Sequence, residues 1–474
     1  MELVTGLYEG RFPAMNDGWR ILLEQEKTPF RTYDAGCPVM VAEGAVPEDL
    51  KSFLENGGVA VLTGIRPEML PFPSDYIGAA VIERIDLTEL GAGKPRIGSL
   101  ITVYGGEGYG LICLHEKRVT KNGLLQDAYP AFVEQKIGKG TVYYSGIPFS
   151  ELIVAQGDIL REPDIDFPDF DERVTAVDKA PLLMGMREIL IRAYKSAGLP
   201  YPRLRYYPGN YRSVFMFRSD LDGFYGENIG VFSKAAKDAG VRVTFYFNHD
   251  LCEDEIERIR DIDPYHDIAC HAIFHNLYTD EESNYKNVHS AVEWMRSLGL
   301  EFKHSYVAPR GMWNFALNRA LEREGFDYSS DFGYDVYGLP FYPYYNGQRS
   351  TVKQIPTDPF NTERATIKAM EEGRPQPDAE YICRHFLGSA RKQYELGMPI
   401  MLYSHPQYFG PLAPKVFPPL MKEINSWPDL WHATIQEMND WWELRDSVAY
   451  KVNYDGETVT VEGTLPEKVS IETL

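Results

Sequence analysis

Cysteine is scarce in this chain, and its placement limits the classes of protein that fit. The five cysteines are scattered and form no Cys-x-x-Cys pair. The sequence therefore predicts neither a disulfide framework nor a cysteine-ligated zinc cluster, and we expect a reducing compartment. A basic stretch before an apolar run is missing at the start, and so is any apolar run of about 18 residues. A cytoplasmic location is the default expectation; an extracytoplasmic one applies if a signal was removed.

Basic residues are also in short supply. Lys and Arg number 48 against 69 Asp and Glu, which gives a formal net charge of −21. A field of that sign repels phosphate, so we expect neither a nucleic-acid partner nor an anionic membrane partner. The 474 residues exceed what one hydrophobic core usually serves. Domains typically have about 100–200 residues, which predicts two or three of them here.

Apolar runs alternate with a helical stretch in the first part of the chain. Residues 39–42 and 59–62 are apolar and flank a helical stretch at 47–56, which predicts strand, helix, strand. Residues 141–146 continue this as a parallel α/β unit. The region resembles the class I glutamine-amidotransferase-like, flavodoxin-like domains. It lacks a cysteine at a tight strand-to-helix turn, and Cys113 lies in an apolar, strand-like run, so we expect a non-catalytic domain over residues 1–204.

A second strand-helix-strand series follows an acidic, proline-rich loop at 158–178 and a helical stretch at 180–197. Strands are predicted at 214–217 and 241–247, with a helix at about 226–239 between them. An amphipathic helix is predicted at 431–444. The last residues alternate in polarity around Asp455-Gly456, which predicts a hairpin. We therefore place a second domain at 205–446 and a C-terminal hairpin segment at 447–474.

Carboxylates and imidazoles occur at metal-binding spacing in the second domain. Asp220 and Asp222 follow a predicted strand, and His271 and His275 come about fifty residues later. One carboxylate and two histidines form a ligand set that leaves a position open for water. Asp222, His271 and His275 are therefore the predicted metal ligands, and Asp220 remains as a base.

These motifs resemble, in their order along the chain, the polysaccharide deacetylase superfamily, which comprises carbohydrate esterase family 4 and its relatives. The resemblance covers roughly residues 205–445. The matching segments are Asp220-Leu221-Asp222-Gly223 for Asp-Asp-Gly, His271-Ala272-Ile273-Phe274-His275 for His-Ser/Thr-x-x-His, and His405-Pro406 for the final His-Pro.

The resemblance implies a distorted (β/α) barrel whose strand-end residues converge at the carboxyl rim, and histidines four apart can face one ion from a helical turn. It also implies a divalent metal, with Zn²⁺ as the first expectation and Co²⁺, Mn²⁺ or Ni²⁺ as alternatives. Asp220 would remove a proton from water and His405 would protonate the leaving amine. The inserted Leu221 leaves open which of Asp220 and Asp222 is base and which is ligand.

The sequence departs from the family at its third motif, Arg-x-Pro, whose arginine fixes the catalytic aspartate. Val307 takes the place of that arginine, and Arg310 is the nearby substitute. Arg310 either reaches the same carboxylate or is a loop cation. Asp331 either orients His405, as the family's fourth-motif acid does, or forms a turn.

Aromatic residues are frequent in the neighbouring loops. Trp313, Asn314 and Tyr334 are the predicted substrate contacts, because aromatic faces stack on sugar rings and polar groups bind their hydroxyls. Aromatic loops also simply pack, and that alternative stays open.

The sequence thus predicts an α/β protein with a flavodoxin-like domain, a deacetylase-type (β/α) barrel and a short β hairpin. The predicted function is metal-dependent hydrolysis of a non-peptide C–N bond, with deacetylation of an N-acetylated sugar in an oligo- or polysaccharide as the leading hypothesis. One alternative is a catalytically impaired carbohydrate-binding or scaffold protein on the same barrel. Another is a hydrolase of a different small amide, since fold alone does not choose the substrate.

Overall fold

The computed structural model describes residues 1–114, 119–120, 123–124, 127–155, 177–221, 227–252, 258–259, 262–331, 337–358 and 362–474. Its first part is a mixed α/β domain. The strands and α-helices of this part are β1 (Thr5–Leu7), α1 (Asp17–Glu26), β2 (Phe30–Thr32), β3 (Val39–Glu43), α2 (Leu50–Glu55), β4 (Val59–Thr63), β5 (Tyr76–Arg84), β6 (Arg96–Tyr104), β7 (Gly108–Leu114), β8 (Val119–Thr120), β9 (Gly123–Leu124), β10 (Asp127–Ile137), β11 (Gly140–Tyr144), α3 (Phe149–Val154) and α4 (Lys179–Ser196).

Seven of these strands form one sheet in the order β2-β1-β3-β4-β11-β10-β7. The first five, β2-β1-β3-β4-β11, are parallel. Numbered by their order in the chain, these five strands have the sheet order 2-1-3-4-5, which is the flavodoxin-like order. The predicted strands at 39–42, 59–62 and 141–144 are confirmed as β3, β4 and β11. Cys113 lies in β7, as expected for a strand-like run, but its side chain is outside the described residues.

Antiparallel strands between β4 and β11 were not predicted. β5 pairs with β6, and β10 pairs with both β7 and β11. β5 has a mostly exposed surface, with Val81 76% exposed, so it lacks the continuous apolar run that marks a buried parallel strand.

The second part contains the barrel and the C-terminal strands. Its strands and α-helices are β12 (Pro202–Leu204), β13 (Ser213–Leu221), α5 (Asn228–Asp238), β14 (Val243–Phe247), α6 (His249–Cys252), β15 (Asp267–Cys270), α7 (Glu281–Ser297), β16 (Ser305–Tyr306), α8 (Phe315–Glu324), β17 (Tyr328–Ser329), β18 (Tyr344–Tyr345), β19 (Gln348–Arg349), β20 (Lys353–Gln354), α9 (Thr362–Glu371), α10 (Ala379–Leu396), β21 (Ile400–Ser404), α11 (Pro406–Phe409), α12 (Ala413–Ile424), β22 (Leu430–His432), α13 (Ile435–Ser447), β23 (Lys451–Tyr454), β24 (Val459–Glu462) and β25 (Ile471–Thr473). Single-turn 3₁₀ helices lie at Pro13–Asn16, Pro67–Met69, Thr88–Leu90 and Pro309–Gly311.

Eight parallel strands form the second sheet, in the order β20-β17-β16-β15-β14-β13-β21, with β22 also paired to β13. The sheet curls, and the Asp358 amide donates to the Met401 carbonyl at 2.9 Å, which joins its two ends. The result is a deacetylase-type (β/α) barrel, as predicted.

Alternate residues of the barrel strands serve two separate cores. Val214, Met216 and Met401 belong to the cluster inside the barrel. Phe215 and Phe217 belong to the cluster that packs against the surrounding helices. Burial on both faces explains why these strands are continuous apolar runs in the sequence.

The predicted helix at 431–444 begins too early. Residues 430–432 are β22, because they pair with the start of β13, and α13 begins at Ile435 after the Thr434 cap. The predicted C-terminal hairpin is confirmed as β23 and β24, with Asp455 accepting hydrogen bonds from the amides of Glu457 and Thr458 at the turn. No helix within the described ranges is long and apolar enough to cross a membrane.

Candidate active site

The carboxyl ends of the barrel strands bring most of the predicted site residues to one rim. In the β13–β21 register Ser219 pairs with Ser404, so Asp220 and His405 come next on neighbouring strands. Cys270 pairs with Phe247, so His271 follows at the same end of the barrel. Asp222 and Tyr334 are outside the described residues.

Asp220 is held by an arginine that the sequence analysis missed. The side chain of Arg218 is fully buried, and its Nη2 donates to Asp220 Oδ2 at 2.9 Å. Its Nη1 donates to the carbonyl and the hydroxyl of Ser330, and its guanidinium lies 4.9 Å from the ring centroid of Tyr403. Asp220 is itself 4% exposed, so this is a buried ion pair in a fixed geometry.

Arg218 makes the arginine contact to the Asp220 carboxylate that the family resemblance would place at position 307. A charged residue two positions before Asp220 in an otherwise apolar strand was the available signal, because side chains two apart share one face of a strand. Arg310, the predicted substitute, is exposed and has a left-handed φ of 60°. The observed arginine contact to Asp220 comes from Arg218, and a role for Arg310 stays a prediction.

His271 is buried and oriented by the backbone. Its Nδ1 lies 2.6 Å from the carbonyl oxygen of Val307. A carbonyl only accepts, so Nδ1 carries a proton, and in the neutral ring Nε2 is then the nitrogen with a free lone pair. Histidines that bind metals are typically fixed in this way through the other ring nitrogen.

The segment 271–275 is an irregular loop, and the expectation of a helical turn is wrong. Ala272 has a φ of 71°, which no right-handed helix contains. Asn287 of α7 holds the loop by accepting from the Phe274 amide at 2.8 Å and donating to the Phe274 carbonyl at 3.0 Å. The centroids of the His271 and His275 imidazole rings still lie 5.2 Å apart.

The two imidazoles fit a divalent ion as part of a ligand set. Across the residues that the structure describes, no group of three His, Cys, Asp or Glu side chains is arranged to hold a metal. The predicted third ligand, Asp222, is outside those residues. The described residues therefore include two of the three predicted ligands, and metal binding by them stays a prediction.

His405 is paired with an acid other than the one predicted. Its Nδ1 lies 3.4 Å from Oε2 of Glu363, on α9. Glu363 Oε1 also accepts from Nε2 of Gln407 at 3.0 Å. Glu363 was missed because it lies far from His405 in sequence, on an element with no motif.

Asp331 is engaged elsewhere in the site. It accepts from the Ala308 amide at 2.6 Å and from the Ser329 hydroxyl. Burial raises the pKa of Asp331 to about 6, although these hydrogen bonds and the charge of Arg218 act to lower it. These contacts tie the end of β17 to the loop after β16, and orientation of His405 by Asp331 stays a prediction.

Two of the predicted substrate contacts serve the fold. Trp313 is 3% exposed and its ring lies 4.8 Å from that of Phe315. Asn314 caps α8 by accepting from the Leu317 amide at 2.7 Å, and its amide group donates to the Tyr278 carbonyl at 2.8 Å. Packing, the open alternative for these loops, accounts for both residues, and substrate binding by them stays a prediction.

No protein-family model and no curated protein matches the sequence. Among solved structures, the chain is similar to a putative polysaccharide deacetylase from Mycobacterium smegmatis, at 18% identity over 50% of this chain and 92% of that chain, with a TM-score of 0.43. It is also similar to Puue allantoinase, at 17% identity over 50% and 92%, with a TM-score of 0.41. The carbohydrate deacetylase Agd3 is similar over 96% of this chain and 89% of that chain, at 10% identity and a TM-score of 0.39. Similarities at this level leave fold and function to be argued from the chain's own residues.

Proposed function

We propose that this chain is a metal-dependent hydrolase of the polysaccharide deacetylase superfamily that removes the acetyl group from an N-acetylated sugar. One observation carries the proposal. Oδ2 of Asp220 is fixed by Arg218, while Oδ1 is buried and has no hydrogen-bond donor among the described residues. A buried acceptor left without a donor costs about 1–3 kcal/mol, so this oxygen is suited to receive a proton from a bound water.

The residues at the rim divide the remaining work. His405, at the end of the neighbouring strand, is placed to protonate the leaving amine, and Glu363 orients its ring from Nδ1. His271 and His275, together with Asp222, would hold the metal. When bound there, a divalent ion would supply Lewis-acid chemistry at the carbonyl of the scissile amide. The sugar substrate and the choice of Zn²⁺ rest on the ordered motifs rather than on the site geometry.

Metal analysis tests the ligand set directly. We expect His271→Ala and His275→Ala each to lose roughly the whole bound ion, because two remaining ligands make a poor site. His289→Ala is the matched control, since His289 lies on α7 and pairs with Glu324 outside the rim. The measurement is metal content per protein after dialysis of the full chain. Full retention of the ion in both rim variants contradicts the assignment.

Acetate release separates the leading proposal from its two alternatives. The metal-loaded chain is incubated with chitooligosaccharides and with a panel of small amides. Acetate from the sugars supports the deacetylase, and hydrolysis of small amides alone supports the second alternative. A bound ion with no hydrolysis of any substrate supports a catalytically impaired carbohydrate-binding protein.

A further inference from the structure

Two loops that border the candidate site also contact the first domain. The loop after β16 carries Val307, whose carbonyl orients His271. The chain after β17 begins with Ser330 and Asp331, which bind Arg218 and the Ala308 amide, and it later forms the hairpin β18–β19. The hairpin packs on α1 of the first domain.

Polar contacts fix the hairpin to α1. Glu24 accepts from the Tyr344 hydroxyl at 2.5 Å and from Nε of Arg349 at 2.9 Å. Gln25 is only 3% exposed. Its Nε2 donates to the carbonyls of Leu339 and Pro340, just before the hairpin, at 3.0 and 3.4 Å. Charged hydrogen bonds and a buried amide of this kind fix a loop more firmly than exposed pairs do.

Aromatic contacts continue from the hairpin to the loop after β16. The ring centroids of Tyr345 and Phe315 lie 4.5 Å apart, and those of Phe315 and Trp313 lie 4.8 Å apart. Trp313 and Tyr344 are buried in the same hydrophobic cluster as Leu22 and Leu23 of α1. A continuous series of packed side chains therefore joins α1 to the loop that orients His271.

We infer that α1 of the first domain positions the candidate active site. Glu24 holds the hairpin β18–β19 and Gln25 holds residues 339–340 just before it. Through Phe315 and Trp313 the hairpin in turn supports the loop that carries Val307. The first domain thus supports the rim of the candidate site. The inference rests on the proposed function only in treating His271 as a metal ligand. Gln25 and Glu24 are positioning residues, since they act on the site through residues 339–349.

The test uses the full chain with Glu24→Gln and Gln25→Met, separately and together. Glu24 is changed rather than Arg349 because Arg349 also pairs with Asp446 of α13 at 2.8 Å. Arg242→Gln is the matched control, because Arg242 makes a two-point pair with Glu437 at the amino end of the barrel, away from the rim. Hydrogen–deuterium exchange is followed in the segments 305–314 and 337–350. We expect exchange to rise about tenfold in both segments for the double variant, as loss of a charged hydrogen bond implies, and to stay unchanged there for the control.

Zn²⁺ affinity, measured by calorimetry well below the melting temperature, supplies the second readout. We expect the dissociation constant to rise about tenfold in the double variant, the lower end of the range for loss of a ligand-orienting contact, and to stay unchanged in Arg242→Gln. Faster exchange confined to 337–350, with unchanged exchange at 305–314, overturns the inference. If the wild type binds none of Zn²⁺, Co²⁺, Mn²⁺ and Ni²⁺, the proposed function fails, and exchange at 305–314 still decides whether α1 holds the loop.

Discussion

At the scale of single residues, the pair Arg218–Asp220 determines what the site can do. Both side chains are withdrawn from solvent, so their mutual attraction has to offset the loss of hydration. Arginine suits this position because its planar guanidinium binds the carboxylate and Ser330 together, while lying near the Tyr403 ring. Removal of either partner leaves the other charge buried and uncompensated.

Arg218→Met is expected to lower the free energy of unfolding by about 3–5 kcal/mol, because it leaves the carboxylate of Asp220 buried without a positive partner. The double variant Arg218→Met/Asp220→Asn should recover a large part of that loss, since no uncompensated charge remains. Urea denaturation of the wild type, both single variants and the double variant gives the four values needed. Additive losses in the double variant would show that the two side chains are not energetically coupled.

Asp220→Asn should separate base from ligand. A general base typically accelerates the reaction about 10²–10⁴-fold. If Asp220 is the base, the variant should lose that factor in kcat and keep its metal. Asp222→Asn should instead release the ion. The measurements are metal content and acetate release for both variants, with His289→Ala as the unaffected control. Metal loss in Asp220→Asn would show that Asp220 is the ligand and Asp222 the base.

The residues that the sequence predicted and those it missed differ in how local their signals are. Asp220, His271 and His405 stand in short motifs at strand ends, so their order along the chain was enough to place them at one rim. Glu363 carries no local signal, because its pairing with His405 depends on how α9 packs. Arg218 had a signal, an isolated charge in a buried strand, and it was overlooked.

At the scale of elements, continuous apolar runs identified the buried parallel strands and failed elsewhere. β13 and β14 were predicted and are buried on both faces, as is β21. β16 and β17 are two residues long, too short for any pattern to show. The antiparallel pair β5 and β6 is half exposed and has no continuous apolar run. Part of β22 was predicted as the start of the following helix, because the pairing of residues 430–432 with β13 cannot be read from those residues themselves.

Asn314, a predicted substrate contact, lies at the N-cap of α8. Asn314→Ala removes the cap of α8 and should lower the free energy of unfolding by about 1 kcal/mol. Asn314→Ser keeps an N-cap oxygen and should recover most of this loss. KM for the sugar substrate should change less than twofold in both variants. A large rise in KM without loss of stability would instead support the predicted substrate contact.

At the scale of the whole molecule, Glu26 joins α1 of the first domain to the segment that leads into the barrel. This buried residue ends α1 and meets Arg187 of α4 at 2.5 Å and Arg203 of β12 at 3.2 Å. The Tyr206 hydroxyl also donates to it at 2.5 Å. Burial alone would raise the pKa of Glu26, but the two arginines and the tyrosine outweigh it and lower the pKa to about 2. The two domains therefore share one buried charge cluster.

A depressed pKa in the folded state means that the carboxylate stabilises the fold above the unfolded value of 4.5, and that this contribution is lost as the pH falls towards 2. Glu26→Gln should therefore lower the free energy of unfolding by about 3 kcal/mol at pH 7 and by only about 1 kcal/mol near pH 3. Urea denaturation at the two pH values measures both. Glu472→Gln is the control, because Glu472 also pairs with Arg203 but is partly exposed, so its loss should be under about 1 kcal/mol. An equal deficit for Glu26→Gln at both pH values would show that the cluster holds the domains together by packing rather than by the charge of Glu26.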